Sequence, residues 1–212
     1  ASGAREASGV TASRGSAPAQ LTEVHPRTGA SHDVATESGR AWLTELYSPD
    51  PDVRVRLNMI TAVTGAAVGT DGTSETLSSR TDRAILGIIR ASADAVVVGA
   101  ATVRAEGYVI PRAARLAILT TTGDLRGHRL DDDLSGVVLV CPSSVVDAVR
   151  ERAGVDGVDI LGVGEGDRLD PREVVAALAT IGIERMVCEG GPAVASMFAR
   201  ADLIDEYCVT VA

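Results

Sequence analysis

Aromatic residues are nearly absent: one Trp, three Tyr and one Phe make up 2% of a 212-residue chain. Hydrophobic residues still reach 45%, so Val, Ala, Leu and Ile must pack the core, with Trp42 and Phe198 as the large exceptions. Runs such as Ala95-Val96-Val97-Val98 and Val137-Val138-Leu139-Val140 suit strands buried on both faces, which implies a parallel or mixed sheet covered by helices. Basic clusters are missing as well. With 20 Lys and Arg against 29 Asp and Glu the formal charge is −9, and no footprint exists for tracking a nucleic-acid backbone. No apolar run approaches the roughly 18 residues that span a bilayer, and the Ala/Ser/Gly-rich N-terminus lacks the apolar stretch of a secretory signal. No membrane partner is therefore expected, and a cytoplasmic location is the default. Cys141, Cys188 and Cys208 are odd in number and without metal-ligand spacing, so they read as small buried hydrophobes. His25, His32 and His128 show no ligand spacing either, and no metal is expected.

Residues 1–40 hold few large apolar side chains and no sustained period, which predicts a flexible or draped extension before a domain over 41–212. Trp42, Leu43, Leu46 and Tyr47 form a short helical patch ended by Pro49 and Pro51. Strand-like runs then fall at Val53–Val63, Ala95–Gly99, Leu116–Thr120, Val137–Val140, Val158–Leu161, Arg185–Cys188 and Ile204–Val211. Helical patterns lie between most of them. Thr81–Ala91 sets Ala84, Ile85, Ile88 and Ile89 on one face, and Ser143–Ala153 opens after Pro142. Asp170-Pro171 is a helix start with its cap, and Pro192 opens a last helix ending near Arg200. Such alternation implies an α/β fold, in which ligands bind at the carboxyl ends of the strands.

Four strand exits carry candidate chemistry. After Val98, Gly99-Ala100-Ala101-Thr102-Val103 offers small residues, helix N–H groups and a hydroxyl suited to phosphate oxygens. Tight strand–helix packing would use the same residues, and the Gly-x-Gly-x-x-Gly fingerprint is absent. Cys188-Glu189-Gly190-Gly191-Pro192 repeats the theme, and two such turns favour a dinucleotide site over either alone. Thr120-Thr121-Thr122-Gly123 is either a plain turn or a hydroxyl-rich seat for an adenosine. The first strand carries Asn58 and leaves through Thr64-Gly65 into a glycine-rich loop that reaches Ser78. Asp82, in the first turn of the next helix, either complements the helix dipole or serves as an active-site carboxylate.

Taken in order, Asn58-Met59-Ile60, Gly65-Ala66-Ala67, Asp82-Arg83, Ala93 through Gly99, Thr102 through Tyr108, Glu189-Gly190-Gly191-Pro192 and Asp205-Glu206 resemble one family. It is the C-terminal reductase domain of the bifunctional riboflavin-biosynthesis deaminase–reductases, most closely its stand-alone pyrimidine reductases, and the likeness covers about residues 53–212. The resemblance implies a dihydrofolate-reductase-like, mostly parallel mixed sheet with helices on both faces, NADPH as cofactor, and a homodimer. It also implies hydride transfer to the opened ribose of 5-amino-6-(5-phosphoribosylamino)uracil. By position, Gly99, Thr102 and Val103, with Glu189, Gly190 and Gly191, would hold the cofactor's phosphates and nicotinamide side. Thr120 and Thr121 would lie near its 2′-phosphate, and Asn58, Thr64, Gly65 and Ser78 would face the substrate. Neither His-x-Glu nor Pro-Cys-x-x-Cys occurs, so the zinc deaminase half is not part of the likeness.

Three departures accompany it. The family's Ser-x-Asp-Gly reads Ala62-Val63-Thr64-Gly65, which replaces a carboxylate with a hydroxyl that is no comparable acid. Ala100 and Ala101 stand where a second glycine is usual. Tyr108 to Arg115 is brief, and the sequence stops at Val211-Ala212, where the family runs on into further strands. Two other readings stay open: a reductase of this fold acting on another heterocycle such as dihydrofolate, which Asp82 would serve, and a catalytically impaired cofactor-binding paralogue, which Thr64 would explain.

Overall fold

The computed structural model describes residues 20–25, 29–127, 130, 133–153 and 157–212, so His128 and the first nineteen residues of the expected extension lie outside the described residues. The chain divides into two units, one ending at Trp42 and one beginning at Leu43. In the first, β1 (Gln20–Thr22) and β2 (Ser31–Asp33) pair antiparallel, tied by a 2.7 Å hydrogen bond between the Thr22 and Ser31 hydroxyls. His32 stacks on Trp42 with ring centroids 4.0 Å apart. Here, where the sequence has no sustained period, local hydroxyl bonds and one aromatic stack make the structure. Helix α1 (Glu37–Leu46) starts five residues earlier than the Trp42 patch predicts, because Thr36 Oγ1 accepts from Gly39 N as an N-terminal cap.

The second unit alternates as expected. Its elements are β3 (Val55–Thr61), α2 (Arg80–Ala91), β4 (Ala95–Gly99), α3 (Ala100–Glu106), β5 (Arg115–Leu119) and β6 (Val137–Pro142). A 3-10 turn at Ser143–Val145 leads into α4 (Val146–Ala153), then β7 (Asp159–Val163), α5 (Pro171–Thr180), β8 (Met186–Cys188), α6 (Gly191–Arg200) and β9 (Glu206–Val211). The seven strands form one sheet in the order β7-β6-β5-β4-β8-β3-β9, and every ladder in it is parallel. Asp170 caps α5 through Arg172 N, with Pro171 in the first turn, as the sequence predicts.

Period-two alternation divides the valine runs between two cores. Val96, Val98, Leu116, Ile118 and Leu139 pack with Val103 and Val149 of α3 and α4. Val97, Ala117, Leu119, Val138 and Val140 pack with Val174, Leu178, Ala195 and Phe198 of α5 and α6. Helices thus cover both faces. From β4 the chain moves one way through β5, β6 and β7, whereas β8 returns to the middle and leads over β3 to β9. The strand order therefore reverses between β4 and β8, the place where α/β sheets open a crevice.

Carboxylates tie the strand starts together. Asp205 accepts from both Arg54 N and Val55 N at 2.8 Å, and Asp94 accepts from Glu184 N and Arg185 N. Arg56, only 2% exposed, donates from two nitrogens to one Glu206 oxygen at 2.8 and 2.6 Å, and from the third to Tyr47 O. Glu206→Ala strands that cation, so chemical denaturation should show a loss of about 2 kcal/mol, discounted because Glu206 is partly exposed. Glu184→Ala, which breaks an exposed pair with Arg54, should change stability by less than about 0.5 kcal/mol.

Candidate active site

A cleft of about 630 Å³ opens beside the strand-order reversal, within the usual range for small-molecule sites. Its walls come from β3 (Asn58), the glycine-rich loop (Ser74, Ser78), α2 (Asp82, Arg83, Arg90), α3 (Thr102, Glu106) and the β8–α6 turn (Glu189, Gly191). Gly191 has φ +60°, and a β-carbon there would lie 2.7 Å from Thr102 Oγ1, so the two small-residue turns meet edge to edge. At Gly190 a β-carbon would press on Val98 Cα at 3.0 Å, and at Gly99 on Val194 at 3.2 Å. Gly190 serves the close approach of the β8–α6 turn to β4, Gly99 that of α6, and neither lines the cleft.

Asp82 accepts from Ser78 Oγ at 2.8 Å on one oxygen and from Thr210 Oγ1 at 2.7 Å on the other. The other carboxylates lining the cleft are engaged differently. Glu75 pairs with Arg83 at 2.5 Å, and Glu106 accepts from the backbone and hydroxyl of Ser74, which pins the glycine-rich loop to α3. Glu189, its side chain 8% exposed, takes a bidentate bond from Arg90 at 2.8 and 2.6 Å and a short bond from the Tyr108 hydroxyl. Arg90 also donates to Tyr108 Oη at 2.9 Å and lies over its ring, 5.2 Å from the centroid. Burial works against the Arg90 charge, but the hydrogen bonds it donates to Glu189 prevail and its pKa is raised. Burial and the Glu189 charge push the Tyr108 phenol well above its usual value. Burial likewise lifts the Cys188 thiol to about 11, so it stays protonated at neutral pH.

Of the residues singled out from sequence, Asn58, Ser78, Asp82, Thr102, Glu189 and Gly191 share this cleft. Thr64 and Gly65 do not: they lie on an exposed turn beyond β3, closed by Gly65 N to Ala62 O. Val103 is fully buried in the core beneath α3, and its side chain does not line the cleft. Thr120 is 5% exposed and its hydroxyl accepts from Gly123 N at 2.9 Å, which is the plain-turn role, while Thr121 beside it is exposed. Arg90, Tyr108, Glu106 and Thr210 were missed. Asp82, Leu86 and Arg90 recur every four residues on α2, a helical stripe that would have signalled Arg90. Nothing local in the sequence signals Thr210. Among the described residues no group of His, Cys, Asp or Glu could hold a metal ion, and no helix is long and apolar enough to cross a membrane.

The RibD C-terminal domain family matches residues 53–212. No curated protein matches the chain. Among solved structures, the fold is similar to a pyrimidine reductase-like protein from Corynebacterium diphtheriae (22% identity, 76% of this chain and 75% of that one, TM-score 0.64). It is also similar to the Thermotoga maritima diaminohydroxyphosphoribosylaminopyrimidine deaminase/5-amino-6-(5-phosphoribosylamino)uracil reductase (20% identity, 80% of this chain, TM-score 0.55), of which it spans 48%. The riboflavin biosynthesis reductase of Saccharomyces cerevisiae is a third (16% identity, 84% and 82% of the two chains, TM-score 0.58).

The buried phenols make a test of the site. Burial raises the pKa of both Tyr108 and Tyr47 above the usual 10.0. The unfolded chain therefore ionises first, so their contribution to stability is whole below pH 10 and declines as the pH rises further. Spectrophotometric titration should show the Tyr108 share of the tyrosinate absorbance emerging together with alkaline unfolding. Tyr108→Phe should remove that coupled signal.

Proposed function

The chain belongs to the RibD C-terminal domain family, a family of reductases, and we propose on that premise that it is an NADPH-dependent enzyme reducing the opened ribosylamino group of 5-amino-6-(5-phosphoribosylamino)uracil. One observation carries this reading: Asn58, Ser78 and Asp82 share a single cleft with the Thr102 and Gly191 turns at the strand-order reversal. Residues 1–40 are then an extension outside the reductase domain. A cytoplasmic homodimer completes the proposal, with the exposed Tyr207, Val209 and Val211 of β9 as its surface.

The residues present fit a dinucleotide. The Thr102 hydroxyl and the first turn of α6, whose cap Gly190 makes no side-chain bond, suit phosphate oxygens, and Gly191 puts no side chain over them. Beyond the exposed Thr121, Arg126 of the same loop would meet a 2′-phosphate. It is 87% exposed, and its hydrogen bonds hold the Asp124 carboxyl down to about 2. When bound, the cofactor supplies a hydride for the carbon of the substrate's C=N bond. Asp82 holds the protonated nitrogen of that bond: a carboxylate offers about four lone-pair sites, and the two hydroxyls occupy only two. Hydride to carbon and the proton on nitrogen together make the amine. Of the two cleft arginines, Arg90 is bound to buried Glu189, whereas Arg83 has only its half-exposed pair with Glu75 and can turn to the substrate's phosphate.

A second reading, the same fold acting on another heterocycle such as dihydrofolate, draws on one observation. Asp82, a cleft carboxylate held by two hydroxyls, stands at the start of α2, and Thr64 lies on an exposed turn outside the cleft. An impaired paralogue would bind cofactor without turnover.

Titration with NADPH followed by fluorescence, then addition of the pyrimidine or of dihydrofolate, separates the three. Saturable binding with turnover of the pyrimidine is expected, and binding without turnover would sink the enzyme reading. Asp82→Asn should lower kcat about 100-fold with NADPH affinity unchanged. Arg83→Ala should raise KM for the phosphorylated substrate about tenfold with kcat retained, the worth of one charge-assisted hydrogen bond.

A further inference from the structure

Strand β9 carries its residues in reverse of the pattern for closing a hydrophobic core. Tyr207, Val209 and Val211 are 58%, 54% and 62% exposed, while the half-buried row is Glu206, Cys208 and Thr210. A strand arranged for packing would turn its apolar row inward. The inward row here makes polar contacts instead: Glu206 holds Arg56, and Thr210 Oγ1 donates to Asp82 Oδ1 at 2.7 Å.

Asp82 has a nearer partner that it does not use. Ser79-Arg80-Thr81-Asp82 has the spacing of a capping box, and half of that box is formed, because Ser79 Oγ accepts from Asp82 N at 3.1 Å. The reciprocal half would turn the Asp82 carboxylate back onto Ser79 N. The carboxylate instead spans from Ser78 Oγ in the glycine-rich loop to Thr210 in the edge strand, 128 residues along the chain. A carboxylate serving only the helix terminus would have no need of so distant a partner. Register explains how the strand reaches it: Thr210 pairs with Ile60 of β3, two residues beyond Asn58 opposite Cys208, and both Asn58 and Ile60 line the cleft.

We propose that Thr210 is a positioning residue for the reduction, its hydroxyl drawing the Asp82 carboxylate off its capping partner and setting it toward the substrate. The proposal rests on the reading of Asp82 as the carboxylate that holds the protonated C=N nitrogen. Thr210 itself touches no reacting atom. It acts on the rate through the geometry of Asp82 and leaves binding of substrate and cofactor to other groups.

The test is steady-state kinetics of the whole chain carrying Thr210→Val, Thr210→Ser, Asp82→Asn, or Thr210→Val with Asp82→Asn together. Thr210→Val should lower kcat about tenfold, the effect of losing one hydrogen bond to a charged group, with both KM values within about twofold. Thr210→Ser should restore the rate, since it keeps the hydroxyl. On the Asp82→Asn background Thr210→Val should cost nothing further, as expected of residues that act as a unit. A Thr210→Val enzyme with wild-type kcat, beside a crippled Asp82→Asn, overturns the proposal and leaves the Asp82 reading standing. Equal losses in the Val and Ser variants, or an undiminished loss on the Asp82→Asn background, overturn it in favour of a merely structural Thr210. Wild-type kcat in Asp82→Asn removes the Asp82 reading, and the proposal with it.

Discussion

Between β4 and β8 the backbones approach until a β-carbon on Gly190 would lie 3.0 Å from Val98 Cα and 3.1 Å from Gly99 N. Much of the site depends on that approach. It lets β8 insert between β4 and β3 although the chain has travelled to the far edge of the sheet in the meantime. Once β8 lies there, the helix leaving it and the helix leaving β4 run to opposite faces, and their starts bracket a crevice. The same glycines that a dinucleotide-binding reading would claim for ligand contact are thus first needed by the protein's own packing. Only the outermost of them, Gly191, remains at the cleft surface against Thr102.

Buried charge gives the crevice a rigid wall. Arg90, Glu189 and Tyr108 come from α2, the β8–α6 turn and the segment after α3, and each satisfies the other two. Separating Arg90 from Glu189 would leave the carboxylate with little water, which is why such a cluster resists partial opening. At the amino ends of the strands, Arg56 with Glu206 does for β3 and β9 what this trio does at the carboxyl ends. The exposed pairs, Arg54 with Glu184 or Arg150 with Asp147, are screened by solvent and add little.

The opposite side of the cleft is held more loosely. The glycine-rich loop from β3 to α2 is fastened by Ser74 to Glu106 and by Ser78 to Asp82, both through small hydroxyl side chains. Both bonds are only partly buried, so water or ligand hydroxyls can take their place. A rigid floor for one reactant beside an adaptable wall for the other suits a reaction in which two bound molecules must be brought to contact distance.

Much of this was legible in the amino-acid order. Strand and helix alternation, the valine runs buried on both faces, the Asp170-Pro171 helix start and the two small-residue turns are local features, set by steric preference and side-chain period, and they reappear where the sequence places them. The ordered motifs from Asn58 to Glu206 were enough to indicate the family that matches residues 53–212. What tertiary structure decided is which side chains meet. Period and turn chemistry cannot tell that Thr120 spends its hydroxyl on its own turn, that Thr64 stands outside the cleft, or that Glu189 is occupied by Arg90 and Tyr108. The Thr210–Asp82 bond joins residues 128 positions apart. It exists because β9 crosses over β3 to the sheet's edge, and strand order is a property of the whole packed core, which no stretch of sequence contains.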